Sequence, residues 1–133
     1  MDESGIGKVS VGQIYSSLRR SRARMDLYHR LCDIYPSPAT VKDLSVYTRL
    51  TMVNVLGALV GEKDSYNSDY SLVGMGLVEC LSVVSYGETV EVFRAAERGW
   101  EMRRVIMEYA RRLNFLEIEL ERAEGAGRRV WME

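Results

Sequence analysis

The C-terminal part of the chain carries seven apolar residues at alternating spacings of four and three: Met102, Ile106, Tyr109, Leu113, Leu116, Leu120 and Ala123. Only an α-helix aligns such positions on one face. A mean spacing of 3.5 is the heptad pattern of helices that pair with other helices. Met102, Tyr109, Leu116 and Ala123 take the d positions, and Ile106, Leu113 and Leu120 take the a positions. Arg112 falls at g and Glu117 at the next e, so a parallel pair gains a cross-chain ion pair worth roughly 0.5 kcal/mol. Val105, Phe115 and Ile118 widen the apolar stripe. The segment 98–124, with Gly99 as its weak point, reads as a helix of about 26 residues that spans roughly 39 Å at about 1.5 Å per residue. That exceeds what is needed to cover a small domain. The pattern predicts a dimerisation helix, ended by Gly125-Ala-Gly127 and followed by a tail over 125–133.

At 133 residues the chain holds one domain with a short appendage. No Ser-His-Asp, Cys-His or His-rich metal constellation can be assembled within one chain without the single histidine, His29, which sits in an apparent helix beside Arg30 and reads as a partly exposed structural residue. Cys32 and Cys80 form neither a disulfide framework nor a zinc motif. Gly74-x-Gly76 lacks the third glycine and the strand–helix setting of a nucleotide loop. No catalytic residue, metal or cofactor is therefore expected, and the chain does not read as an enzyme. It has no run of apolar residues long enough to span a membrane, and its first residues lack basic and apolar leader regions. The expected location is cytoplasmic, with no membrane partner.

Residues 1–12 contain Gly5, Gly7 and Gly12 and read as a flexible arm; a domain over 13–97 follows. A helix beginning near Ser16 has Leu18, Met25, Tyr28, Leu31, Cys32 and Tyr35 at helical spacing, and Pro36-Ser-Pro38 stops it. Thr40 reads as the cap of a second helix with Asp43 in its first turn; Leu44 and Tyr47 or Thr48 face inward. Thr51 caps a third helix from Met52 to about Gly61, with Val55 and Leu59 on its inner face. Two short helices joined by a tight turn form a helix-turn-helix. Residues 62–71 read as a polar loop. Val78 to Val84 and Thr89 to Arg94 read as strands of a hairpin about Ser85-Tyr-Gly-Glu88. The expected class is mainly α with a small β-hairpin.

Charge is uneven along this frame. Residues 1–50 carry eight Lys/Arg against five Asp/Glu, and residues 61–100 carry three against seven. The basic excess concentrates in Arg19, Arg20, Arg22, Arg24 and Arg30, a cluster suited to phosphate.

The order helix, helix-turn-helix, hairpin, long helix resembles that of winged helix-turn-helix proteins. Gly76-Leu-Val-Glu79 resembles the entry to the first wing strand. Val92-Phe-Arg-Ala-Ala-Glu-Arg-Gly99 is similar to the exit from the second. Arg20-Ser-Arg22, Asn54-Val-Leu-Gly-Ala-Leu59 and Ser71-Leu-Val-Gly-Met-Gly-Leu-Val-Glu79 resemble a group of archaeal winged-helix transcriptional regulators. The resemblance covers about residues 18–100. It implies a winged helix-turn-helix with a long C-terminal dimerisation helix, acting as a homodimer on double-stranded DNA. The third helix would lie in the major groove, with Thr48, Arg49, Thr51 and Asn54 leading. Arg19, Arg20, Arg22, Arg24 and Lys42 would contact the backbone, and Tyr86 would sit at the wing tip. The dimer interface would comprise Met102, Ile106, Tyr109, Leu113, Leu116 and Leu120.

Two departures stand out. The wing tip, Tyr86-Gly87-Glu88, lacks the Lys or Arg that wings often carry. Met52, Val53, Leu56 and Val60 make the recognition helix apolar off its inner face. Either residues 62–76 pack over part of this helix, with Gly57 permitting close approach, or the helix reads little sequence directly. An adaptor that binds protein rather than DNA is the alternative. A third reading is a sensor, with Tyr66, Tyr70, Met75 and the Cys80 region lining a pocket and Cys32 or Cys80 responding to oxidants.

Overall fold

A computed structural model of the chain describes residues 9–61 and 69–132. Five helices and one hairpin make up these residues: α1 (Val11–Arg20), α2 (Arg22–Asp33), α3 (Val41–Thr48), α4 (Met52–Val60), β1 (Val78–Ser85), β2 (Glu88–Ala95) and α5 (Glu97–Met132). The architecture is mainly helical with a two-stranded antiparallel hairpin and a long C-terminal helix, the α+β class expected.

The first helical region differs from its expected form. A helix already begins at Val11, within the stretch read as an arm, because Ser10 and Gln13 form a reciprocal capping box. What looked like one helix is two. Ser21 ends α1 and caps α2, its hydroxyl accepting from the Arg24 amide at 3.1 Å. Its extended backbone turns the chain sharply, and the corner brings α1 and α2 together around Leu18, Leu27, Tyr28 and Leu31, all buried.

The next pair follows the sequence closely. Thr40 and Asp43 form a capping box at the start of α3, and the Thr51 hydroxyl accepts from the Asn54 amide at the start of α4. Leu44, Val55 and Leu59 are buried as expected. Tyr47, one of two alternatives for an inward position, is exposed, and Thr48 is half-buried. Between the helices, Arg49 adopts the left-handed conformation (φ 64°) that reverses the chain.

The hairpin pairs Ser85 with Glu88, so its loop is Tyr86-Gly87. Both residues have positive φ, 52° and 79°, which matches the right-handed twist of the strands. Ala39, just before α3, exchanges two backbone hydrogen bonds of 2.8 Å with Phe93. This bridge ties the start of α3 to the hairpin.

The core draws on every element. Tyr28 and Phe93 are its largest fully buried side chains, joined by Ile14, Leu59, Leu72, Met75, Leu77 and Ile106. The buried Tyr28 hydroxyl donates to the Gly99 carbonyl at 2.6 Å. After α4, the Leu72 and Val73 amides donate to Ala58 and Leu59, so residues 69–77 close over the C-terminal end of that helix.

The C-terminal helix also departs from expectation. It passes through Gly125 and Gly127 and runs to Met132. A glycine inside a helix costs about 1 kcal/mol relative to alanine without forbidding the conformation. At about 1.5 Å per residue, its 36 residues span about 54 Å. No helix among the described residues is long and apolar enough to cross a membrane.

Candidate nucleic-acid interface

The corner between α1 and α2 and the exposed side of α4 border one groove of ≈ 560 Å³. Ser21, Ala23 and Arg24 line one wall; Asn54, Leu56 and Gly57 line the other; Leu50, from the α3–α4 turn, joins them. The neighbouring arginines have distinct roles. Arg19 and Arg20 end α1 and are exposed. Arg22 is exposed and pairs with Asp26 one turn along α2 at 3.6 Å. Such a surface pair is worth well under about 1 kcal/mol, so Arg22 can exchange this partner for another anion.

Arg24 differs. It is half-buried, and its Nη1 donates to the Ser17 hydroxyl at 3.0 Å and the Ser17 carbonyl at 3.3 Å. Burial, and then the neighbouring Arg20 charge, pull its proton affinity below the usual arginine value. Its Nε is buried without a partner among the described residues. Ser17 in turn donates to the Tyr70 carbonyl at 2.8 Å. Arg24 therefore braces the helix corner. The same side chain borders a second groove with Gln13, Ser16, Arg20 and Tyr70.

Arg49, Thr51 and Asn54 are exposed at the turn and first helical turn of α4, and of these Asn54 lines the groove. The Thr51 hydroxyl oxygen caps the helix while remaining open to solvent. Thr48 is engaged internally: its hydroxyl donates to the Leu44 carbonyl at 2.7 Å and accepts from the Leu50 amide at 3.4 Å. That internal bonding gives Thr48 a turn-holding role.

Lys42 is not on this groove. It borders a separate one between α2 and α3 with Arg30 and Tyr47, where the Arg30 guanidinium lies 3.9 Å above the Tyr47 ring. Tyr86 protrudes fully exposed from the hairpin tip. Behind it, Arg94 and Glu79 form a cross-strand ion pair, with Nε to Oε2 at 2.8 Å, which neutralises the base of the hairpin. Glu88 and Glu91 remain exposed nearer the tip.

The heptad positions divide. Ile106 is fully buried in the chain's own core, and Met102 and Leu113 pack against that core. Tyr109 meets Tyr15 edge-on, with ring centroids 5.8 Å apart. Heptad spacing fits a helix lying on its own domain as well as one lying on a partner, and Ile106 is committed to its own domain. Leu116 and Leu120 continue the stripe beyond the core and are 56% and 62% exposed, next to exposed Phe115 and Ile118.

The residues expected to form a sensing pocket are dispersed. Met75 is fully buried in the core, Cys80 is exposed on β1, and Tyr66 lies outside the described residues. Burial pushes the Cys32 thiol up to about 11, far from thiolate chemistry at neutral pH. Among the described residues, no group of three or more His, Cys, Asp or Glu side chains is placed to hold a metal ion.

One feature that the sequence reading missed is a polar tie between α2 and α5. Arg103 donates from Nε to His29 Nδ1 at 3.1 Å and from Nη1 to Asp33 at 2.7 Å. Three residues distant in sequence carry no periodic signal, so only the fold brings them together.

A Methanocaldococcus jannaschii protein described as uncharacterized is similar to this chain, at 37% identity over 68 residues. The match covers 51% of this chain and 61% of that protein's length. No solved structure matches. A family model described as EarA-like matches residues 14–106, from the first buried side chain of α1 to Ile106 in α5, and the chain belongs to that family.

Proposed function

We infer that the chain is a winged helix-turn-helix transcriptional regulator that binds double-stranded DNA as a homodimer. The observation that carries this reading is the groove whose walls are the arginine-bearing α1–α2 corner and the exposed N-terminal half of α4. A helix entering a major groove leads with its first turn, and cations beside it meet the phosphates that flank the groove. Arg49, Thr51 and Asn54 stand at that first turn and are exposed; Arg24 lines the groove from the α1–α2 corner, which also carries the exposed Arg19, Arg20 and Arg22. Asn54 suits an adenine edge, and Arg49 suits a phosphate or a guanine. The Ala39–Phe93 bridge supports the winged arrangement, since it binds the helix pair to the hairpin as one unit.

The exposed Phe115, Leu116, Ile118 and Leu120 support self-pairing through the distal part of α5. Two copies joined there would present their α4 helices to half-sites about 34–36 Å apart on one face of the duplex.

A second reading is a protein-binding adaptor without DNA affinity. Exposed Met52, Val53 and Leu56 on α4 and the acidic hairpin tip favour it. Fluorescence anisotropy of a labelled random-sequence duplex separates the two. The DNA-binding reading expects saturable binding that weakens steeply as salt rises. An adaptor leaves the duplex unbound even at low salt.

A further inference from the structure

The outward face of α4 is unusual for a helix that reads DNA. Its buried side is Val55, Ala58 and Leu59. At about 100° per residue, the opposite pole falls on Val53, Gly57 and Val60, flanked by Leu56 on one side and Asn54 on the other. Val53 is 78% exposed. A Cβ built at Gly57 would meet nothing within 4 Å. Among the described residues no contact accounts for a glycine there, although glycine is a poorer helix former than alanine. A bare backbone on this side of the helix, along the groove, allows an external surface to come close. That surface would meet an apolar ridge with one amide beside it, across the groove from Arg24, with the exposed Arg49 just before the helix.

We propose that α4 reads thymine 5-methyl groups, with Val53 and Leu56 as the specificity-determining contacts and Gly57 setting the depth of approach. The proposal rests on the DNA-binding reading above. Its basis is complementarity: a major groove offers anionic walls, and thymine methyls are the apolar groups on its floor. An apolar ridge with the cations of Arg24 across the groove and Arg49 before the helix matches both. Asn54 then adds hydrogen bonds to an adenine edge, so the four-residue span 53–56 reads A·T pairs by both chemistries.

The test uses the full chain and a duplex selected by it from a random-sequence pool. That duplex is resynthesised with deoxyuridine replacing thymidine, which deletes the methyl and leaves every hydrogen-bonding group in place. Affinity should fall about fourfold for each contacted methyl, the equivalent of about 0.8 kcal/mol. Val53→Ser, at an exposed position where folding is undisturbed, should bind the thymidine duplex less tightly and should discriminate less between the two duplexes. Circular dichroism of the variant checks that the helices are intact. Equal affinity of the natural protein for the thymidine and deoxyuridine duplexes overturns the methyl readout while leaving DNA binding standing. Binding to no duplex overturns both and assigns the α4 ridge to a protein partner.

Discussion

Gly99, in the first turns of α5, lies directly against the backbone of Leu77: a Cβ at Gly99 would fall 2.2 Å from the Leu77 carbonyl oxygen. The Ala96 amide donates to that same oxygen at 2.9 Å, and the Gly99 carbonyl accepts the buried Tyr28 hydroxyl. Glycine here permits α5 to touch the chain entering β1. Gly99→Ala must push backbone against backbone and should destabilise the fold by about 2–3 kcal/mol. Gly57→Ala, in open space, should stabilise it by about 0.5–1 kcal/mol. Urea midpoints for both variants check the pair, and a Gly99→Ala midpoint equal to that of the natural chain would contradict the contact.

The arginines of the α1–α2 corner should separate by function. Arg24→Ala removes two hydrogen bonds to Ser17 from a half-buried site and should cost about 1–2 kcal/mol of stability. Arg22→Ala, exposed beside Asp26, should change stability by less than about 0.5 kcal/mol. Thermal denaturation of the two variants side by side measures the difference. Equal effects would remove the bracing role from Arg24.

His29 gives the fold a pH dependence of known sign. Burial, and then the Arg103 charge, hold its pKa below the ordinary 6.5, with Asp33 and Asp26 acting weakly the other way. Its Nδ1 accepts from Arg103, which requires the neutral ring. The unfolded chain therefore binds this proton more readily than the folded chain does. Stability from this site is complete above pH 6.5 and declines as pH falls from there toward the lowered folded value. Because His29 is the single histidine, His29→Ala should flatten stability between about pH 7 and 5.5. Denaturant titrations across that range test it, and an unchanged slope in the variant would place the titration elsewhere.

The two halves of the α5 stripe predict opposite phenotypes. Ile106→Ala opens a cavity inside the single chain and should cost about 2–5 kcal/mol whatever the oligomeric state. Leu116→Asp with Leu120→Asp alters only exposed positions, so the core should remain folded while self-association is lost. Light scattering at micromolar concentration reads the second outcome. A particle of unchanged mass would place self-association outside these residues.

Local chemistry explains which parts of the fold were legible in sequence. Thr40 with Asp43, and Thr51 before an apolar run, announce helix starts because a cap lies within four residues of what it caps. Tyr86-Gly87 announces a two-residue turn for the same reason. The break at Ser21 was hidden, since one serine among good helix formers also fits a helix interior and its capping bond to Arg24 leaves no separate pattern. The Ala39–Phe93 bridge joins residues far apart in the chain, and a single paired residue has no alternation to detect. Ile106 was assigned to a partner because the period of an apolar stripe says which face is buried and not against what. In the candidate interface, the exposed Arg49, Thr51 and Asn54 follow from caps and turns. The bracing role of Arg24 depends on Ser17 and Tyr70 and emerges only from the packed corner.

The central claim is that the α1–α2 corner places its arginines on DNA phosphates. The most direct test is the salt dependence of duplex binding by the natural chain and by the double variant Arg20→Ala, Arg22→Ala, read by anisotropy at several salt concentrations. Each lost phosphate contact should lower the slope of log affinity against log salt by about 0.9, with affinity falling alike for all sequences. A double variant that keeps the slope of the natural chain would contradict the claim.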